Sequence, residues 1–185
     1  MPNETGHVLE TITLAGGCFW CTEAVFGRVR GVVAVQSGYA NGHVPHPSYE
    51  QVCTGATGHA EAVRVQFDPA HIGIRELLEI FFATHDPTTL NRQGHDVGPQ
   101  YRSGIYTTHP EHDAVARALL QELQEGGHFG APIVTELAPL TAWWPAEDYH
   151  TDYFNLHPHQ GYCAAVIAPK LEKFRATFAR FLNKD

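Results

Sequence analysis

The stretch Leu9-Glu10-Thr11-Ile12-Thr13-Leu14-Ala15 runs straight into Gly16-Gly17-Cys18-Phe19-Trp20-Cys21-Thr22-Glu23, and this join decides the fold. Residues 9–15 alternate, with Leu9 and then Ile12 and Leu14 on one face, as a half-buried strand does. Two glycines then let the backbone turn sharply and let another molecule come close. Residues 19–28 follow as a helix, so Cys18 falls at a helix start. Free N–H groups and the positive end of the helix dipole favour thiolate over thiol there. Phe19 and Trp20 add apolar surface able to line a pocket. The join reads as a nucleophilic thiol beside a small hydrophobic cage.

Working outward, Val32 to Tyr39 is rich in β-branched residues and ends in the Asn41-Gly42 turn. Residues 62–67 place Val63, Val65 and Phe67 on one face before Asp68-Pro69 stops the strand. Residues 74–84 form an amphipathic helix with Ile74, Leu77, Leu78 and Phe81 inward. Further expected elements are a strand at 105–107, a helix at 110–124 opening on a proline, and a strand at 133–137. A short helix at 146–153 and a last helix from Pro169, with Leu171, Phe174 and Phe178 inward, complete the pattern. Strands and helices mixed without regular alternation predict an α+β fold, a mainly antiparallel or mixed sheet with helices packed on it. The segment His85 to Ser103 lacks periodicity and is too long for an idle connection, so it reads as a functional loop. No linker or repeat divides the 185 residues, which are expected to form a single catalytic domain. Residues 1–8 read as a flexible tail and 156–168 as a loop carrying Cys163.

Hydrophobic residues at 43% suit a globular chain. A net charge of −8 argues against a nucleic-acid partner. No apolar run is long enough for a bilayer, and residues 1–8 carry no secretory signal, so the expected compartment is the cytoplasm. Four cysteines point to catalysis or metal and not to a disulfide scaffold. Thirteen histidines bring metal into question, but the expected ligand spacings are missing. Cys18-x-x-Cys21 has no second pair, and Glu147-x-x-His150 fits a di-iron spacing, but in Glu125-Gly-Gly-His128, which has the same spacing, the glycines break a helix. The expectation is no metal. His59 and His150 read as hydrogen-bonded structural residues, the His109–His112 and His157–His159 pairs as solvated surface, and Cys53 as core.

A reactive thiolate can serve acyl transfer, disulfide exchange or reduction of an oxidised heteroatom. No segment suggests an oxyanion hole. Other segments narrow the choice. Gly16-Gly17-Cys18-Phe19-Trp20 closely resembles the signature of the A-type peptide methionine sulfoxide reductases. The resemblance continues through Ser37-Gly38-Tyr39, Gly55 to Glu61, His85-Asp86-Pro87-Thr88, Asn91 to Gly94 and Asp96-Val97-Gly98. It runs on through Gln100 to Ser103, Ala146 to His150 and Gly161-Tyr162-Cys163, in the family's order. His95, Pro99, Thr151 and Asn41 depart from the usual pattern, and none removes a group the chemistry requires.

The resemblance implies a two-layer sandwich with a ferredoxin-like core, and reduction of the S epimer of methionine sulfoxide without a cofactor. In that scheme Cys18 attacks the sulfoxide sulfur, and Glu61 donates a proton to the oxygen because a buried carboxyl keeps it. Tyr39 and Tyr101 hydrogen-bond the sulfoxide oxygen, Asp96 orders that side of the pocket, and Phe19 and Trp20 hold the S-methyl group. The resulting sulfenic acid needs a second thiol. Cys163 stands where many relatives carry the resolving cysteine, and Cys21 is a second candidate, either directly or as the first member of a relay. Thioredoxin, or dithiothreitol in the test tube, closes the cycle, and a monomer is expected. Two other readings compete: a general thiol–disulfide oxidoreductase using Cys18 and Cys21, and a non-catalytic zinc module of cysteines and histidines.

Overall fold

The computed structural model describes residues 8–182; the expected tail lies almost wholly outside the described residues. In chain order the elements are β1 (Glu10–Gly16), α1 (Phe19–Phe26), β2 (Val32–Ala40), α2 (Tyr49–Cys53), β3 (Ala60–Phe67), α3 (Ile74–Ala83), β4 (Arg92–Gln93) and β5 (Asp96–Val97). They continue with β6 (Ser103–Thr107), α4 (Pro110–Glu125), β7 (Glu136–Pro139), β8 (Trp143–Pro145), α5 (Tyr153–Leu156) and α6 (Ala168–Thr177). Six strands form one sheet in the order β7-β6-β1-β3-β2-β8. Its centre, β6-β1-β3-β2, comes from a β1-α1-β2-β3-α3-β6 chain, which is the ferredoxin-like arrangement. All pairs are antiparallel except β6 with β7, which run parallel after the α4 crossover.

Alternation assigns the two faces. Ile12, Leu14, Val63, Val65 and Phe67 meet Phe26, Leu77, Leu78 and Phe81 in one large core. Ala15, Ala40, Ala60, Ala62 and Tyr106 point the other way, where Trp143 packs on them. Each large apolar side chain taken wholly out of water contributes about 1.5–3 kcal/mol. Phe19, Val25 and Phe26, all at 2% exposure or less, therefore clamp α1 to the sheet. The turn before it demands glycine: Gly17 has φ +93°, and a Cβ there would come within 2.6 Å of the Gln93 side chain. Asn41 holds a left-handed turn at φ +58° and ties down the next connection, with Nδ2 donating to Pro139 O and Oδ1 accepting from Thr141 N.

Several expectations need correction. The 133–137 strand lies instead at Glu136–Pro139, because Val134 N–H donates to Pro87 O and is not free to pair with β6. The 146–153 helix is only a 3-10 turn at Asp148–His150, since Asp152 adopts a left-handed φ of +56° before α5. The segment 156–168 is not a loop throughout. It is helical from residue 161, with a widened π-turn at Cys163–Ile167 ahead of Pro169, which has no N–H to donate. Cys163, Ile167, Leu171 and Phe174 then form one buried stripe at helical spacing. Cys53 is exposed, because Val52 takes the buried position of α2. His112 is buried and not solvated.

Candidate active site

The sheet register gathers the chemistry at one end. Gly16, at the end of β1, pairs with Ser103 at the start of β6, and Tyr39 pairs with Glu61 on one side and Trp144 on the other. Cys18, Tyr39, Glu61 and Tyr101 therefore arise from adjacent strand ends.

Cys18 caps α1 and is 8% exposed. Glu61 beneath it is 1% exposed, and its Oε1 accepts the Phe19 N–H at 3.1 Å, satisfying one free amide of the helix start. Its Oε2 has no partner among the described residues. Burial pushes the Glu61 pKa up to about 8; the Phe19 hydrogen bond opposes this, and the charges of Asp96 and Cys21 add to it. Glu61 is thus a carboxylic acid at neutral pH with a spare O–H.

The two thiols of α1 divide the labour differently from expectation. Burial, the hydrogen bond to Cys21 and the nearby Glu61 raise Cys18 well above the ordinary thiol range, against the Trp20 amide. The helix start is present, but desolvation outweighs it, and Cys18 rests as a thiol. Cys21 is lowered to about 7, first by the hydrogen bond from Cys18 and, against its own burial, by the charge of Lys170. The Tyr162 hydroxyl lies 3.8 Å from Cys21 Sγ, but its one proton goes to Asp96 Oδ2 at 2.7 Å. Tyr162 therefore positions Cys21 more than it charges it. Cys163 is fully buried; burial raises its pKa, and the charge of Cys21 raises it further.

Tyr39 does not offer its proton as expected: it donates to Glu147 Oε1 at 2.7 Å. Glu147 also accepts the Tyr49 N–H at 3.0 Å. Burial would raise Glu147, but these hydrogen bonds outweigh it and keep the carboxylate ionised. The Tyr101 hydroxyl makes no hydrogen bond among the described residues, and burial raises its pKa, so it stays a donor. Phe19 is wholly buried and backs the cage, in ring contact with Tyr39, Tyr49 and His150. Trp20 is half-buried and stacks on Tyr153 at 3.9 Å. Its Nε1–H donates to His150 Nδ1 at 3.0 Å, which assigns the remaining His150 proton to Nε2. A groove of about 880 Å³ between α3, α4 and α6 is lined by Lys170 but by none of the other side chains named above.

Sequence reasoning assigned no role to Tyr162, Glu147, Tyr49, Tyr153 or Lys170. Tyr162 and Glu147 do lie inside the matching segments, so the signal was present as motif without a role. Tyr49, Tyr153 and Lys170 carried none.

A family model described as peptide methionine sulfoxide reductase matches residues 10–182. The chain is 58% identical over 170 residues to the peptide methionine sulfoxide reductase MsrA of Polynucleobacter asymbioticus, covering 92% of this chain and 90% of that one. The structure resembles that of Mxr1 from Saccharomyces cerevisiae in reduced form, with a TM-score of 0.78, 36% identity, and coverage of 88% and 92%. It also resembles Mxr1 in complex with Trx2, with a TM-score of 0.55, 26% identity, and coverage of 83% and 88%. A buried acid beside a helix-capping thiol, and relatives matched over nearly the whole chain, agree: this chain belongs to the peptide methionine sulfoxide reductase family.

Proposed function

We propose that this chain reduces the S epimer of methionine sulfoxide, free and in proteins, through Cys18, with Glu61 as proton donor. The observation that carries the reading is the Glu61 acid: held by the Phe19 amide, close to Cys18 and left with an unpartnered oxygen. Cys18 sulfur attacks the sulfoxide sulfur as Glu61 protonates the oxygen. Cys21 accepts the Cys18 proton through their hydrogen bond. The substrate S–O bond then breaks as the hydroxyl passes to Cys18 sulfur, and the sulfur–sulfur bond made in the attack breaks, giving methionine and a sulfenic acid on Cys18: the substrate gains two electrons and the cysteine loses them. Tyr101 donates to the oxygen, Tyr39 and Glu147 hold the far wall, and Asp96 positions Tyr162. Trp20 presents the apolar face to the S-methyl group, backed by Phe19. Residues 10–182 act as one catalytic unit.

Cys21 supports the first resolving attack, because it is hydrogen-bonded to Cys18 and is the thiol with the lowered pKa. Attack on Cys18 forms a Cys18–Cys21 disulfide and releases water. Cys163, which feels the charge of Cys21, then attacks Cys21 and frees Cys18. Thioredoxin reduces the last disulfide, a step favoured by the likeness to the Mxr1 complex with Trx2. The electrons pass only through thiols, so the cycle needs no cofactor. Among the described residues no helix is long and apolar enough to cross a membrane, and a cytoplasmic monomer meets every requirement of the cycle.

Dimedone labelling after one equivalent of sulfoxide tests the order. Cys21→Ser is expected to leave a labelled sulfenic acid on Cys18. Cys163→Ser is expected to lose two thiols without label, and its thioredoxin-driven turnover is expected to fall at least about tenfold. Label in Cys163→Ser and none in Cys21→Ser would mean that Cys163 attacks Cys18 directly.

A further inference from the structure

Antiparallel pairing of β1 with β6 sets Thr13 opposite Tyr106, so the same register carried on brings Glu10 opposite His109. His109 caps α4, and His112 follows in its first turn. The strand start and the helix start thus meet at the end of the sheet away from Cys18. Glu10 Oε1 lies 3.3 Å from His112 Nε2 and 3.9 Å from His109 Nε2. One donor atom from each of the three residues lies within 4.8 Å of the others, and the two imidazoles stack at 4.6 Å.

We propose that Glu10, His109 and His112 bind a first-row divalent transition ion, with zinc the best match, as a staple between β1 and α4. Two imidazoles and one carboxylate are a standard zinc donor set with a fourth position left for water. Tetrahedral zinc would need these donors about 3.3 Å apart. His109 is half-exposed and can swing the short distance required. Glu10 and His109 also line a surface depression with Thr11, Pro69 and Thr108, which leaves an open side for that water. Burial disfavours the imidazolium of His112 and keeps the ring in its metal-binding neutral form. The positive end of α4 opposes a cation, and Glu111 and Asp113 in its first turn offset it. His112 Nδ1 has no partner among the described residues, so the ring lacks the acceptor that orients most zinc-bound histidines. Micromolar binding is therefore expected, not the tight binding of a structural zinc finger. Linear spacing hid the site, because its carboxylate comes from the other end of the chain.

The test is cobalt(II) titration of the full reduced chain, followed by zinc competition. One equivalent should give weak visible d–d bands without the strong sulfur-to-cobalt charge-transfer band, and zinc should abolish them. His109→Ala, an exposed change that leaves the fold intact, should weaken binding at least about tenfold. Glu10→Gln should do the same, and both should lose the rise in melting temperature that zinc gives the wild type. A strong charge-transfer band, binding unchanged in both variants, or no binding would each overturn the proposal, leaving the trio a plain hydrogen-bonded cluster.

Discussion

Cys18→Ser should lose sulfoxide turnover by at least about 10⁴-fold with either dithiothreitol or thioredoxin, with no loss of fold. The side chain is small and only 8% exposed, and serine nearly matches its volume, so circular dichroism and melting temperature should stay close to wild type. Serine also keeps an O–H donor for Cys21, whereas Cys18→Ala removes it. Alkylation of Cys21 against pH should therefore show a midpoint near that of wild type, about 7, in Cys18→Ser and a raised one in Cys18→Ala. A Cys18→Ser protein that still turned over would move the nucleophile to Cys21.

Glu61→Gln should have opposite effects on rate and stability. Loss of a positioned general acid typically costs 10²–10⁴-fold, and kcat/KM should fall in that range. In the wild type the rate should decline above about pH 8 as Glu61 gives up its proton, and this limb should vanish in the variant. Stability should move the other way. Glu61 has a folded pKa of about 8 against 4.5 for a free glutamate, so the folded state holds the proton more tightly than the unfolded state. Its stabilising contribution is whole below pH 4.5 and is lost as pH rises toward 8. Glutamine does not ionise and escapes that loss. The variant should match wild type in acid and exceed it by up to about 5 kcal/mol at pH 8, seen as a higher melting temperature. An equal or lower melting temperature at pH 8 would show that Glu61 is ionised in the resting protein.

The central architecture was legible because its signals are local. Ile12 and Leu14 alternate, Val63, Val65 and Phe67 alternate, and Ile74 to Phe81 keep helical spacing. What failed depended on distant partners. Val134 is drawn to Pro87, 47 residues away, so the strand near it starts late. Trp143 to Pro145 carry no alternating pattern and form an edge strand by pairing with Gly38 to Ala40, more than a hundred residues away in the chain. In the candidate site, the placing of Cys18, Phe19 and Trp20 at the start of α1 and of Glu61 on β3 was legible as a motif. The sharing of charge between Cys18 and Cys21 was not, since it rests on burial and on Lys170 arriving from near the C-terminus. Tyr39 was expected on the substrate oxygen, yet its proton is held by Glu147, 108 residues away.

The most direct single measurement is wild-type turnover of the separate S and R epimers of a blocked methionine sulfoxide, with dithiothreitol as reductant. A thiol fixed at a helix cap and an acid fixed beneath it can serve only one handedness at sulfur. The account predicts steady reduction of the S epimer and none of the R epimer. Equal reduction of both, or of neither by folded and reduced protein, would contradict it.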